Sequence, residues 1–283
     1  MKLNFKSIYA VSKKEFKDNF RNNWFIALTG IFFMLIFFTS LLAGGGGEDS
    51  MFGGFEDTVT TLMMIGNFLV PIIAIMLGYS TISGEVESGS IDLVLSYPLR
   101  RVELLLGKLI GLAAVLGCST LIGLASGGFL VGFLAGDLSS LDNYFLFIML
   151  TILFGLLYLS LSMFASTLTS KRSTSLGIAI VIFFWSAIYA MTIMGIYFAE
   201  GHSFADIGSS GFPDWVWRAL LFSPQDMYGT AVYLAFDLQN IALMGFQMQI
   251  PSYFNISLIV TVQLLWVIIP ISLSLYWFSK KEI

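Results

Sequence analysis

The sequence predicts an all-α, polytopic membrane protein with six transmembrane helices, and three observations carry that prediction. The 283 residues are 57% hydrophobic and only 11% charged, where a soluble domain carries about 25% charged side chains. The mean hydropathy is +0.85. The apolar residues gather in six runs, each near the roughly 20 residues that a helix needs to cross hydrocarbon. The 27 glycines fit the same class, because glycine is commoner in membrane helices than in soluble ones.

An amphipathic segment comes first. Over residues 3–23, Phe5, Ile8, Tyr9, Phe16 and Phe20 share one helical face, with Ser12 as its polar interruption. Lys6, Lys13, Lys17 and Arg21 collect on a flank of the other face. This is the pattern of an interfacial helix, aromatic side in lipid and basic side toward anionic headgroups. The spans follow at about 24–43, 61–80, 104–134, 143–166, 175–198 and 256–279. In the third, the longest, Gly123, Gly127, Gly128 and Gly132 permit close helix approach. The first apolar run lacks a small-residue cleavage site, so it is read as a span and not as a cleaved leader.

Basic residues set the orientation. Lys2, Lys6, Lys13, Lys14, Lys17 and Arg21 precede the first span, and Arg100, Arg101 and Lys108 border the third. Lys171 and Arg172 lie between spans four and five, and Lys280 and Lys281 close the chain. With six spans all of these share one side, and Arg218 alone falls opposite. Both termini are therefore expected in the cytoplasm, for a multi-pass protein of the cell membrane. The loop from Gly44 to Asp57, Gly-rich and acidic, then lies outside and is expected to be mobile.

Composition also excludes classes of function. A sequence pI near 4.9 argues against nucleic acid, which asks for a basic face. Cys118 is the single cysteine, so no intramolecular disulfide forms, and it reads as a buried small hydrophobe. His202 is the one histidine, which rules out a histidine-rich metal site within one chain, and no metal ligands are assigned. The run Gly208-Ser209-Ser210-Gly211 resembles a serine-protease motif, but it lies in a polar loop close to His202 and not on a separate span. Met191, Met194, Met244 and Met248 fit either a soft path for Cu(I) or ordinary filling of apolar gaps.

The charged stretch 83–103 cannot lie in hydrocarbon and hangs between spans two and three. Gly84 and Gly89 loosen it. Ser90 is placed to cap a short helix, and Asp92 sits in its first turn, where a negative charge suits the helix dipole. Ile91, Val94 and Leu95 form an apolar face, and Pro98 ends the helix with Tyr97 extended before it. Arg100 and Arg101 return the chain to the headgroups, and Lys108 is expected to snorkel from the start of span three. An apolar face on a loop helix is costly to leave in water, so it should dock on a partner or on the membrane.

The run from Glu85 and Glu87 through Gly89, Ser90, Ile91, Asp92, Val94, Leu95, Tyr97, Pro98, Arg100 and Arg101, then Gly107-Lys108-Leu-Ile-Gly111, resembles the signature of ABC-2 type permeases. It departs from that pattern at Ser90, where threonine is usual. Within that family the chain is similar to permeases that accompany copper-enzyme maturation. The resemblance implies a six-span exporter subunit, acting as a dimer, whose short helix enters a cleft of a separate ATPase present in two copies. Ile91, Val94 and Leu95 would be the contact residues, Glu85 and Glu87 would lie at the cytoplasmic mouth, and the arginines at the lipid edge. The chain has no phosphate-cradling G-x-x-x-x-G-K-[ST], so ATP and Mg would be held by the partner, with no cofactor on this chain.

The long outer connection, 199–255, exceeds a plain loop. Ser223, Pro224 and Asp226 form a helix start, with Ser as cap and Pro first in the helix. A re-entrant or surface-lying helix pair is expected there, and it is the place for an extracytoplasmic partner. The competing reading is a secondary transporter or channel with no ATPase. Such proteins place ionisable groups in mid-membrane, and the sequence shows none at that depth of its spans.

Overall fold

In the computed structural model, which describes residues 4–44, 55–97, 99–135, 141–236, 242–243, 246–247 and 250–281, the chain opens with α1 (Phe5–Phe20). Asn4 caps it, its side chain accepting from the Lys6 backbone N–H. α2 (Asn23–Gly44) and α3 (Phe55–Gly78) follow, then two short helices, α4 (Ser83–Glu87) and α5 (Ser90–Leu95). Next come α6 (Arg101–Ala135), α7 (Leu141–Leu168) and α8 (Arg172–Ala199). Three short helices, α9 (Phe204–Ser210), α10 (Asp214–Leu220) and α11 (Pro224–Ala235), precede the last, α12 (Ile256–Lys280). A two-residue antiparallel ladder, β1 (Ala242–Leu243) with β2 (Phe246–Gln247), is the one departure from helix among the described residues.

Six helical stretches among the described residues are long and apolar enough to cross a membrane: Asn23–Leu42, Thr58–Glu87, Arg101–Leu130, Asp142–Leu168, Arg172–Ala199 and Ile256–Lys280. The expected all-α, six-span architecture is the one observed. The main shift is in the second, which carries its apolar run through a tight turn at 79–82 into α4. α7 is the central helix: 67% of its apolar window is buried, against 17% for α12. Phe147, Phe154, Leu157 and Tyr158 of α7 are all buried, so burial runs along the helix and not along one stripe. The peripheral helices present apolar side chains outward, such as Val181, Phe184 and Ile188 on α8 and Ile268 and Ile269 on α12.

Close packing on α6 depends on small residues. A Cβ on Gly127 would lie 2.5 Å from Ile36 Cγ2 of α2, and a Cβ on Gly123 2.9 Å from the Phe32 ring. Gly128 faces the Tyr144 ring of α7 in the same way. The side chain at 132 and the outer loop 45–54 lie outside the described residues.

Candidate coupling site and the buried outer helix

The first three turns of α6 form the seat of α1. Glu103 is buried and accepts from the backbone N–H of Asn4 at 2.9 Å and of Arg100 at 3.2 Å, so one carboxylate ties the start of α1 to the start of α6. Gly107 and Gly111, four residues apart, then open a groove. A Cβ on Gly107 would lie 2.6 Å from Val11 Cβ, and one on Gly111 would lie 2.6 Å from the Ser12 carbonyl and 2.8 Å from Glu15 Cβ. α1 therefore splits its apolar set. Ile8 is buried and Phe16 packs on the core, while Phe5, Tyr9 and Phe20 stay exposed. The expectation of one aromatic face wholly free for lipid is corrected, because the groove on α6 claims part of it.

At the bottom of this groove sits Lys108. Its Nζ donates to Glu15 Oε1 of α1 at 2.7 Å and to Glu85 Oε1 of α4 at 2.8 Å. The lysine is 3% exposed, so it does not snorkel. Burial penalises a lone ammonium heavily, and only the two carboxylates make the charge tolerable. Glu85 Oε2 is left buried with no partner among the described residues. One cation thus binds three elements that are far apart in sequence.

The segment between α3 and α6 is tethered on its other side to α7 and α8. Ser166 of α7 accepts from the backbone N–H groups of Ile82 and Ser83 at 3.0 and 2.9 Å. Glu87 accepts from the N–H of Arg172, the first residue of α8, at 2.9 Å, placing a carboxylate at a helix N-terminus. Arg172 Nη2 in turn donates to the Gly84 carbonyl at 3.1 Å.

Gly89, with φ of 70°, makes the corner between α4 and α5. Ser90 is the first residue of α5 and sits one place past the cap. Its hydroxyl turns back to Ser88 Oγ at 2.9 Å instead of serving α5. Asp92 lies in the first turn and is exposed. Ile91 is 1% exposed and joins the main apolar core. It is therefore unavailable as a contact residue, which corrects the expected face: the exposed apolar side chains here are Leu93 and Tyr97. The side chains of Val94 and Leu95, and the whole of Pro98, lie outside the described residues.

Arg101 turns to the end of α12. Its Nη1 donates to the carbonyls of Phe278 at 3.0 Å and Lys281 at 2.6 Å, covering carbonyls that the end of α12 leaves unpaired. Lys281 Nζ donates to Thr167 and Thr169 carbonyls at the end of α7, 3.0 and 2.6 Å away. Burial pulls the Lys281 ammonium below the usual lysine range. α1, α4, α6, α7, α8 and α12 are thereby pinned to one another at one end of the bundle. Of the residues singled out from sequence, this end gathers Glu85, Glu87, Ile91 and Arg101. Glu15, Glu103, Ser166 and Arg172 are partners that sequence reasoning missed, and the Gly107-x-x-x-Gly111 spacing is the signal that points to the α1 seat.

The opposite end holds α11. Ser223 caps it, accepting from Asp226 N at 3.3 Å, with Pro224 first in the helix. This helix packs among the spans. Met227, Tyr228, Ala231 and Val232 are fully buried, and Tyr228 stacks on Phe154 of α7 with ring centroids 4.4 Å apart. Gln225 N donates to Ser186 Oγ, midway along α8, at 3.3 Å, and Gln225 Nε2 lies 3.4 Å from the Asn67 carbonyl, midway along α3. The start of α11 thus reaches the middle of the bundle and brings Asp226 with it. The sequence-based expectation of no ionisable group at mid-depth is corrected, because the acid arrives on a loop helix and not on a span.

Cys118 faces outward from α6 and is not a core residue. His202 stacks on Tyr197, with centroids 4.6 Å apart, a packing contact. Met191 is exposed beside a cavity that Met194 also lines, whereas Met244 and Met248 and the side chains of 208–210 lie outside the described residues.

Comparison with known proteins agrees with this arrangement. Over residues 9–283 the chain matches the family described as ABC-2 family transporter protein. A probable ABC transporter permease protein NosY from Pseudomonas aeruginosa is 29% identical, over 81% of this chain and 82% of that relative. A protein of the same description from Stutzerimonas stutzeri is 26% identical, over 78% of this chain and 79% of its own length. Six apolar spans, a pinned loop-helix segment carrying the permease-like signature, and a match over nearly the whole length converge: this chain belongs to the ABC-2 transporter family, as the membrane subunit of an ABC transporter.

Proposed function

We propose that α4 and α5 form the cytoplasmic coupling segment of an exporter built from two permease protomers and two ATPase subunits. The observation that carries this reading is the Lys108 pairing with Glu15 and Glu85, which makes α1, α4 and α6 one mechanical unit. ATP and Mg are held by the partner, and this chain hydrolyses nothing. When the ATPases close, α5 is pushed through its exposed Leu93 and Tyr97 together with Val94 and Leu95. α4 then moves with it, because Gly89 is a corner and Glu85 is held on Lys108. The displacement passes to α6 through Lys108, to α7 through Ser166 and to α8 through Arg172. The termini lie in the cytoplasm, where the basic residues gather, and the exposed Phe5, Tyr9 and Phe20 of α1 rest in the headgroup region of the cell membrane.

Purification of the chain through its own tag from the native membrane, with identification of any co-purifying nucleotide-binding protein, tests the reading. The expected product is a complex with two copies of each subunit that hydrolyses ATP. A chain that purifies free of any nucleotide-binding protein, and moves cargo without ATP, would overturn it in favour of a secondary transporter.

A further inference from the structure

A cavity of about 630 Å³ lies between α3, α8, α10 and α11. Its walls are apolar and aromatic, with Met194 and Phe198 from α8, Trp217 from α10 and Tyr233 from α11. Its polar residues include Asn67 of α3 and Gln225 and Asp226 of α11, the same group that sits at mid-depth. Gly195 and Gly229 also line it, and a Cβ built on either meets nothing within 4 Å. The volume is in the range of sites for drug-sized ligands.

The acid in this cavity has no counter-charge among the described residues. Asp226 Oδ2 is buried without a hydrogen-bond partner among the described residues, and none of their ion pairs involves Asp226. The positive end of α11 favours the ionised form, and the Ser223 hydroxyl caps the helix and also bonds the carboxyl, but neither neutralises a full charge. An ionisable residue at mid-membrane with no opposite charge among the described residues marks a functional site. Aromatic walls add a second preference for positive charge, through attraction to the ring faces.

We propose that this cavity binds a lipophilic cation, an apolar molecule carrying one positive charge, with Asp226 as the charge partner and the aromatic walls as its apolar seat. Its place as a cargo site rests on the permease reading; the binding itself does not. Entry is lateral, beside Met191, which lies exposed on α8 at the edge of the cavity.

Tetraphenylphosphonium and tetraphenylborate, nearly equal in shape and opposite in charge, are the probes. Binding is measured on the full chain in lipid nanodiscs without an ATPase, so loss of this inference and loss of the permease reading remain distinct results. The wild-type chain is expected to bind the phosphonium saturably and the borate far more weakly. Asp226→Asn should weaken the phosphonium by roughly 30-fold, the low end of what removing a buried charge partner costs. Gly229→Leu, which fills the cavity where a side chain meets open space, should abolish phosphonium binding even if the Asn variant fails to fold. Gly30→Leu, remote from the cavity and equally unobstructed, should change nothing. Equal binding of the two probes to the wild-type chain would overturn the proposal. So would unchanged phosphonium affinity in either cavity variant that remains folded.

Discussion

Glu85 Oε1 lies 2.8 Å from Lys108 Nζ, and that contact joins a five-residue helix to the first turns of the longest helix in the protein. Lys108 holds Glu15 of α1 as well, so the pair is half of a buried triad. Because the lysine is almost wholly enclosed, removing it leaves two carboxylates facing each other in a poorly hydrated groove. Lys108→Met is expected to destabilise the chain by about 3–5 kcal/mol, the range for stripping one partner from a buried ion pair. Thermal unfolding in detergent reads this. The triple variant with Glu15→Gln and Glu85→Gln should recover much of the loss, since neutral groups of similar shape carry no stranded charge.

α1 is seated by two glycines, and that gives a second expectation. Gly107→Leu places its first side-chain atom 2.6 Å from Val11 Cβ, so the helices must part or the core must shift. Overpacking of this kind costs about 1–3 kcal/mol. The specific readout is protease access to the α1–α2 junction, which should rise in Gly107→Leu and stay low in Gly117→Ala, where a Cβ meets open space.

Tyr228 anchors α11. Thr151 gives its hydroxyl proton to the Phe147 carbonyl at 2.8 Å, so in the 2.9 Å contact between Thr151 and Tyr228 the tyrosine is the donor. Tyr228→Phe removes that donor while keeping the stack on Phe154, and should cost about 1 kcal/mol, the ordinary net worth of one hydrogen bond. Tyr228→Ala also empties the space in which Gly66 receives the ring, and should cost about 3–5 kcal/mol. Unfolding midpoints of the two variants check the order.

The six spans were legible because hydrocarbon imposes one simple requirement, a long apolar helix, and composition reports it directly. The start of α11 was legible for a similar reason, since Ser223, Pro224 and Asp226 act locally at a helix terminus. What was hidden is long-range. Lys108 and Glu15 are 93 residues apart, and nothing in either neighbourhood says that they meet, so a lysine near a helix start reads as one that reaches for water. Ile91 reads as exposed because a six-residue helix gives periodicity but not the direction in which its face points. Asp226 was read correctly as a helix-start residue, but the choice between a re-entrant and a surface-lying helix was not legible, because insertion of α11 depends on its packing against α3, α7, α8 and α12.

If α5 carries the ATPase contact on its outward side, Leu93 is the residue through which that contact is made or lost. Leu93 is 68% exposed and Ile91 1% exposed on the same short helix. The decisive measurement is the amount of ATPase subunit retained, and the ATP hydrolysed, when the complex is purified through Leu93→Glu. The expected result is a chain that folds and purifies as the wild type does but has lost its ATPase. A Leu93→Glu chain that keeps the ATPase at full ratio and full rate would contradict it.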